Sequence, residues 1–229
     1  MQPYFLPYIG YFQLIAYCDT FVVYDDIEYT KRGWINRNRI LAAGTARTIT
    51  LPLRRDSDYL DVRDREIAPE FDPKGTLALL RQSYRQAPHW PNYQQLVESI
   101  LQFPGRNLFD FVANSVSRIM ERLDIRTEVV VSSTLGIERT FRGEERVLAT
   151  CAALGATEYV NPIGGLDLYS DSAFADRGIG LSFLRSRLTP YPQFAFPWVE
   201  ALSIVDTMMF VEPSELDSRV RSDFELVTR

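Results

Sequence analysis

The run Thr20-Phe21-Val22-Val23-Tyr24 limits what this chain can fold into more than any other stretch. Unbroken β-branched and aromatic residues suit a strand buried on both faces, as inside a parallel sheet. Ahead of it, Tyr11, Leu14 and Ile15 fall on one face of a short helix over Tyr11–Tyr17. Leu6-Pro7-Tyr8-Ile9-Gly10 before that helix reads as a turn, and Met1–Tyr4 as the end of a strand. Turn, helix and strand in this order form part of a βαβ unit.

The rest of the chain extends that pattern. Asn36–Leu41 and Thr48–Leu53 flank Gly44 as a hairpin or a pair of sheet strands. Residues 54–73 are polar and read as a loop or an excursion. Helical stripes follow over Thr76–Gln86, Tyr93–Gln102 and Leu108–Leu123, separated by Pro88, Pro91 and Pro104. The last third alternates again. Strands are expected at Thr127–Val131, Glu158–Asn161 and Gly180–Leu184. Helices are expected at Gly143–Leu154, Ser170–Arg177 and Leu202–Phe210. The expected fold class is α/β, a mainly parallel Rossmann-like sheet flanked by helices, with residues 74–124 as a helical insertion or layer. Residues 1–229 are expected to form one domain.

Composition narrows the function. A hydrophobic fraction of 46% suffices for a real core, and a formal net charge of −5 argues against a general nucleic-acid binder. No apolar run reaches membrane-span length, and no basic-then-apolar leader opens the chain. The two cysteines, Cys18 and Cys151, are far apart and form no zinc motif. The expected compartment is the cytoplasm, with both thiols reduced.

Ligand sites in open α/β sheets gather outside the carboxyl ends of the strands. That rule selects the loop at residues 2–12, Asp25-Asp26, Ser132-Ser133-Thr134 and Asn161–Gly165. Asp25, Asp26 and Glu28 have the chemistry of a general base or an Mg²⁺ site; the alternative is a solvated turn. Lys31, Arg32, Arg37 and Arg39 place four positive charges in nine residues around Trp34. Their forked guanidiniums suit an anionic small ligand, and the alternative is a solvated basic strand. On a strand Arg37 and Arg39 share one face and Asn36 and Asn38 the other. Gly164-Gly165 after Asn161 would let backbone N–H groups approach a phosphate. Ser132 and Ser133 suit a phosphate contact or a helix cap. His89, the single histidine, would have to serve any Ser-His-Asp arrangement, although a lone loop histidine is more often a plain polar residue.

Several of these segments together resemble the WbqC-like family. They are Gln2-Pro3-Tyr4-Phe5-Leu6-Pro7-Tyr8-Ile9-Gly10-Tyr11-Phe12, Asp25-Asp26 and Trp34-Ile35-Asn36-Arg37-Asn38-Arg39-Ile40. Leu51-Pro52-Leu53, Tyr159–Gly165, Tyr191-Pro192-Gln193 and Leu202-Ser203-Ile204-Val205-Asp206 extend the resemblance over nearly the whole chain. It implies a cytoplasmic transferase of surface-polysaccharide, O-antigen-type biosynthesis. Its expected reaction is acyl or aminoacyl transfer to an amino sugar or sugar nucleotide, with an acyl carrier protein as a candidate donor. It also implies substrate contacts from Gln2, Tyr4 and Tyr8, together with Lys31, Trp34, Asn36, Arg37, Asn38 and Arg39. Family members have an apolar strand before this Met-Gln-Pro, so the expectation here is a shortened first strand or a start set too late. A looser resemblance links strand, Pro7-Tyr8-Ile9-Gly10 loop, helix and strand to nucleotidylyltransferases and pantothenate synthetase, whose loop histidines are missing here. That leaves open a nucleotidylyl- or adenylyl-transferring enzyme, and a non-catalytic sugar-nucleotide-binding partner.

Overall fold

The computed structural model describes residues 1–57, 59–194 and 197–228. The opening helix α1 (Ile9–Tyr17) is buried over its first seven residues and feeds β1 (Thr20–Val23). β1 pairs in parallel with β4 (Glu128–Val131), Thr20 opposite Glu128 and Val23 opposite Val131. β2 (Arg37–Ala42) and β3 (Thr45–Thr50) form the expected hairpin. Its two-residue turn puts Ala43 at φ 49° and Gly44 at φ 77°. That left-handed pair matches the twist of the strands it joins. β5 (Glu158–Pro162) and β6 (Gly180–Ser186) pair in parallel, and β7 (Phe224–Val227) joins β6 antiparallel.

The described strands therefore form three small mixed sheets rather than one mainly parallel sheet. A cleft of about 400 Å³ explains the division. It lies between β1 and β5 and is lined by Thr20, Phe21, Val22, Tyr159, Val160 and Asn161. Met1 reaches the open edge of β1: its amine donates to the Val22 carbonyl at 2.6 Å and its carbonyl accepts from the Tyr24 N–H at 2.8 Å. Strands on either side of such a gap are too far apart to share a hydrogen-bond ladder. The strand expected at Met1–Tyr4 is reduced to this bridging residue.

The three middle helices are α2 (Pro73–Tyr84), α3 (Trp90–Leu101) and α4 (Leu108–Arg122). α2 and α3 begin earlier than their stripes imply. Pro73 and Pro91 sit inside the first turn, where a missing N–H costs nothing. Asn107 caps α4 by accepting from the Asp110 N–H at 3.1 Å. Leu80, Val97, Ile100, Phe111, Val112 and Ile119 enter the same core as Phe5, Phe12, Ile35 and Ile40. α5 (Gly143–Leu154) and α6 (Asp171–Ala175) enclose a second, smaller cluster of Val147, Leu148, Cys151, Phe174 and Ile179.

Residues 54–73 are not a mere excursion. Bridges join Asp61 to Glu28, Ile67 to Leu53 and Glu66 to Asn107, and Val62–Asp64 forms one 3₁₀ turn. α7 (Ile204–Phe210) matches expectation, whereas α8 (Pro213–Ser222) and β7 carry no strong sequence signal. α8 buries Leu216 and Val220 and displays Glu215–Arg219 and Asp217–Arg221 pairs one turn apart. Buried Gln13 anchors it to α1 by donating to the Arg219 and Asp223 carbonyls at 2.9 and 3.0 Å. Among the described residues no helix is long and apolar enough to cross a membrane.

Candidate functional site

The carboxyl ends of β1 and β4 meet as the strand-end rule expects. Asp25 and Asp26 follow β1, Ser132 and Ser133 follow β4, and parallel pairing brings them together. The Ser132 hydroxyl lies 3.0 Å from Asp25 Oδ1 and closer still to Asp26 Oδ1, so both carboxylates compete for its proton. Ser133 donates its N–H to Asp25 Oδ1 at 3.0 Å and its hydroxyl to Asp25 Oδ2 at 2.7 Å. Arg146 of α5 donates to Asp26 Oδ1 at 2.5 Å and lies 5.1 Å over the Tyr24 ring. Burial works to raise the Asp26 carboxyl, but the Ser132 hydrogen bond and Arg146 outweigh it and hold the group below the usual carboxylate range.

Asp61 adds a third buried carboxylate, paired with Arg139, and Arg63 lies 3.8 Å from Asp25 and 3.9 Å from Asp61. Three carboxylates thus face three guanidiniums. Asp26 is kept ionised by Arg146 and Ser132, and the Ser133 hydroxyl, half-buried, is bonded to Asp25. The cluster does not fit the oxygen-rich shell that Mg²⁺ demands, because donors from serine and arginine already cover the carboxylates. Among the described residues no three His, Cys, Asp or Glu side chains converge to hold a metal.

β2 carries a second arrangement of opposite character. Asn36 and Asn38 face inward and Arg37 and Arg39 outward, as strand alternation predicts. The Asn38 amide donates to the Phe5 and Leu6 carbonyls at 3.1 and 2.9 Å. The Asn36 amide donates to the Leu51 carbonyl at 2.8 Å and accepts from the Tyr29 hydroxyl at 2.9 Å. The asparagine face therefore orders backbone. On the other face Trp34 is 41% exposed, with Arg37 at 6.0 Å and Arg39 at 5.8 Å from its ring. Arg37 is steered by the Gly33 carbonyl at 2.9 Å and Arg39 by the Ala201 carbonyl at 3.1 Å. Among the described residues neither arginine forms an ion pair with a carboxylate. Lys31 and Arg32 are exposed beside them.

The loop at residues 2–8 runs from one arrangement to the other. Met1 is bonded to β1, and the Phe5 N–H donates to the Ile35 carbonyl at 3.1 Å. Gln2 accepts from Tyr11 through its carbonyl at 3.0 Å, and burial raises the Tyr4 and Tyr8 hydroxyls. At the end of β5, Asn161 accepts from Tyr159 and packs against Gly165, where a Cβ would overlap its amide; Gly164 has open space instead. His89 stands apart at the start of α3. Its N–H donates to the Met209 carbonyl, and its Nε2 lies 3.6 Å from Glu212.

Sequence reasoning missed Asp61, Arg63, Arg65, Arg139 and Arg146. Only Arg146 left a trace, a lone charge on the apolar face it shares with Val147, Thr150 and Cys151. Also missed was buried Asp206, which accepts from Tyr84 at 2.8 Å, Tyr191 at 2.8 Å and Gln193 at 2.7 Å. Asp206, Tyr191 and Gln193 belong to the motifs at 191–193 and 202–206, and Tyr84 reaches them from α2.

Cys18 and Cys151 both line the cleft between β1 and β5. Burial pushes each thiol up to about 11, so thiolate is scarce. Iodoacetamide at pH 8 is expected to alkylate the native protein at least about tenfold more slowly than a free thiol of ordinary pKa. Alkylation at the free-thiol rate would contradict this burial.

The family model described as the WbqC-like protein family matches residues 2–218. The uncharacterized protein Rv1507c of Mycobacterium tuberculosis is similar, 28% identical over 214 residues, which are 92% of each chain. No solved structure matches.

Proposed function

We propose, of a chain that belongs to the WbqC-like protein family, that it is a transferase of surface-polysaccharide biosynthesis acting on an anionic sugar nucleotide or amino sugar. Exposed Trp34 between the guanidiniums of Arg37 and Arg39 carries this reading. A flat aromatic face packs against a sugar or base, and arginine forks take phosphate or carboxylate oxygens. The charge balance of the acid cluster supports the same choice: among the described residues Arg37 and Arg39 of β2 have no carboxylate partner, whereas Arg63 and Arg146 lie against Asp25 and Asp26.

The favoured reaction is acyl or aminoacyl transfer from a carrier thioester. The amine nitrogen of the sugar bonds to the acyl carbon, and the carbon–sulfur bond breaks. The amine proton passes by way of the Ser133 hydroxyl to Asp25 and then to the departing thiolate. Nucleotide sugars and carrier thioesters would place the reaction in the cytoplasm.

Trp34 fluorescence provides the test. Titration with a panel of uridine diphosphate amino sugars is expected to change its emission with at least one member. Trp34→Ala, followed by calorimetry, is expected to weaken that binding tenfold or more, about 1.4 kcal/mol. Asp25→Asn is expected to keep binding and lose turnover with an acyl-carrier donor. No binding across the panel, or unchanged affinity in Trp34→Ala, would remove the basis of the reading.

A further inference from the structure

Open strand edges bound the cleft of about 400 Å³ between β1 and β5 on both sides. The Glu128 N–H donates to the Asp19 carbonyl. Alternation then turns Phe21 and Val23 towards β4 and directs the backbone groups of Thr20 and Val22 into the cleft. Likewise the Gly180 N–H donates to the Thr157 carbonyl, so Tyr159 and Asn161 bond to β6 while Glu158 and Val160 face the cleft. Among the described residues only Met1 bonds to the β1 edge, and the Val160 N–H and carbonyl have no partner. Unpaired backbone groups along two facing edges are a template for one further strand.

Met1 fixes the direction of that strand. It donates to the Val22 carbonyl and accepts from the Tyr24 N–H, the two neighbours of Val23. Bonds that straddle one residue in this way are the parallel pattern. A strand in the cleft that keeps this sense passes Thr20 and Phe21 and ends at the Met1 amine. Desolvation lowers that amine to about 5. A carboxylate beside it would favour its charged form.

The walls fix the chemistry. Val160 and Leu14 pack in the main core, whereas Tyr159, Val147 and Cys151 belong to the smaller cluster. Successive strand residues point to opposite faces, so the two clusters lie on opposite sides of β5. Leu14 and Cys18 therefore line one face of the cleft, and Val147, Cys151 and Leu154 the other. A strand covered on both faces carries apolar side chains in unbroken succession.

We propose that this cleft is an acceptor slot for the apolar carboxyl-terminal strand of a partner polypeptide, bound parallel to β1 with its carboxylate at the Met1 amine. The bound strand joins the sheets into one, in the order β4, β1, peptide, β5, β6, β7, and links the two apolar clusters. Backbone ladders supply the affinity and the two apolar walls the specificity. The slot is separate from the Trp34 face and does not depend on the function proposed for it.

The test adds a synthetic peptide to the full chain. The peptide carries about five alternating valines and isoleucines, matching the length of β5, after two solubilising lysines, and has a free carboxylate. It is expected to raise the Tm by mass action and to slow hydrogen exchange at the Val22 and Val160 N–H groups. N-methylation at alternate residues removes ladder donors and is expected to weaken binding at least tenfold. Amidation of the carboxyl end is expected to weaken it severalfold. No Tm shift and no protection, or equal affinity of the N-methylated or amidated peptide, would overturn the slot. So would peptide-free protein whose Val22 and Val160 protection rises with dimer formation in light scattering, since a second copy would then be the occupant.

Discussion

Arg146→Met is expected to cost the fold about 3–5 kcal/mol, read as a lower urea midpoint, because it strands Asp26 as a buried charge. The two side chains are 10% and 5% exposed, so water does not substitute for the lost partner. The pH dependence should change sign as well. In the wild type the Asp26 carboxyl is held below its ordinary value. Its stabilising contribution is therefore complete above the unfolded carboxylate pKa and is lost as pH falls through the lower native value. Without Arg146, burial dominates and raises the group. Its contribution should then favour the protonated form, and stability should fall as pH rises from the unfolded value to the raised native one. Urea midpoints between pH 3 and 7 separate the cases. Arg146→Met with Asp26→Leu should recover part of the loss, since removing both partners leaves no orphaned charge. A single variant within about 0.5 kcal/mol of wild type would show that the pair is not what holds this cluster.

Asn38→Ala is expected to cost about 2–4 kcal/mol, because it leaves the Phe5 and Leu6 carbonyls without their donor inside the core. The loop it holds is strained. Leu6 sits at φ 45°, a left-handed conformation that a leucine adopts only when its surroundings impose it. The same amide also accepts from the Arg39 N–H at 2.8 Å, so its loss loosens the start of the hairpin. Under the function proposed above, sugar-nucleotide affinity should fall together with stability, because Arg39 and Tyr8 hang on these two backbones. Asn38→Asp provides the stricter comparison. It keeps the size and the acceptor but turns the donor into a second acceptor facing two carbonyls. Chemical denaturation should find it no more stable than Asn38→Ala; wild-type stability would disprove the clamp.

Much of this was legible in the residues. Thr20–Val23 appears as the expected strand, the hairpin turns at Ala43-Gly44, and the stripes of α2, α3 and α4 face the core. Alternation along Asn36–Arg39 separated the inward asparagines from the outward arginines. β-Branched runs, proline punctuation and helical spacing act over a few residues, which is why they can be read locally. α8 and β7 were hidden because only Leu216 and Val220 give α8 an apolar side, and β7 is defined by a partner strand far away in sequence.

The sequence by itself determined the local elements, the placement of Asp25-Asp26 after a buried strand, and the concentration of basic and aromatic groups from Lys31 to Arg39. Tertiary structure alone decided what those groups mean. The parallel register of β1 and β4 joined Ser132 and Ser133 to the aspartates, and α5 brought Arg146 across 120 residues to neutralise one of them. The return of residues 60–62 beside Glu28 and Tyr29 set Arg65 against an aromatic face, where among the described residues no carboxylate pairs with it. Charge pairing depends on distance through space, and a buried charge is compensated or left open by neighbours that no local pattern encodes.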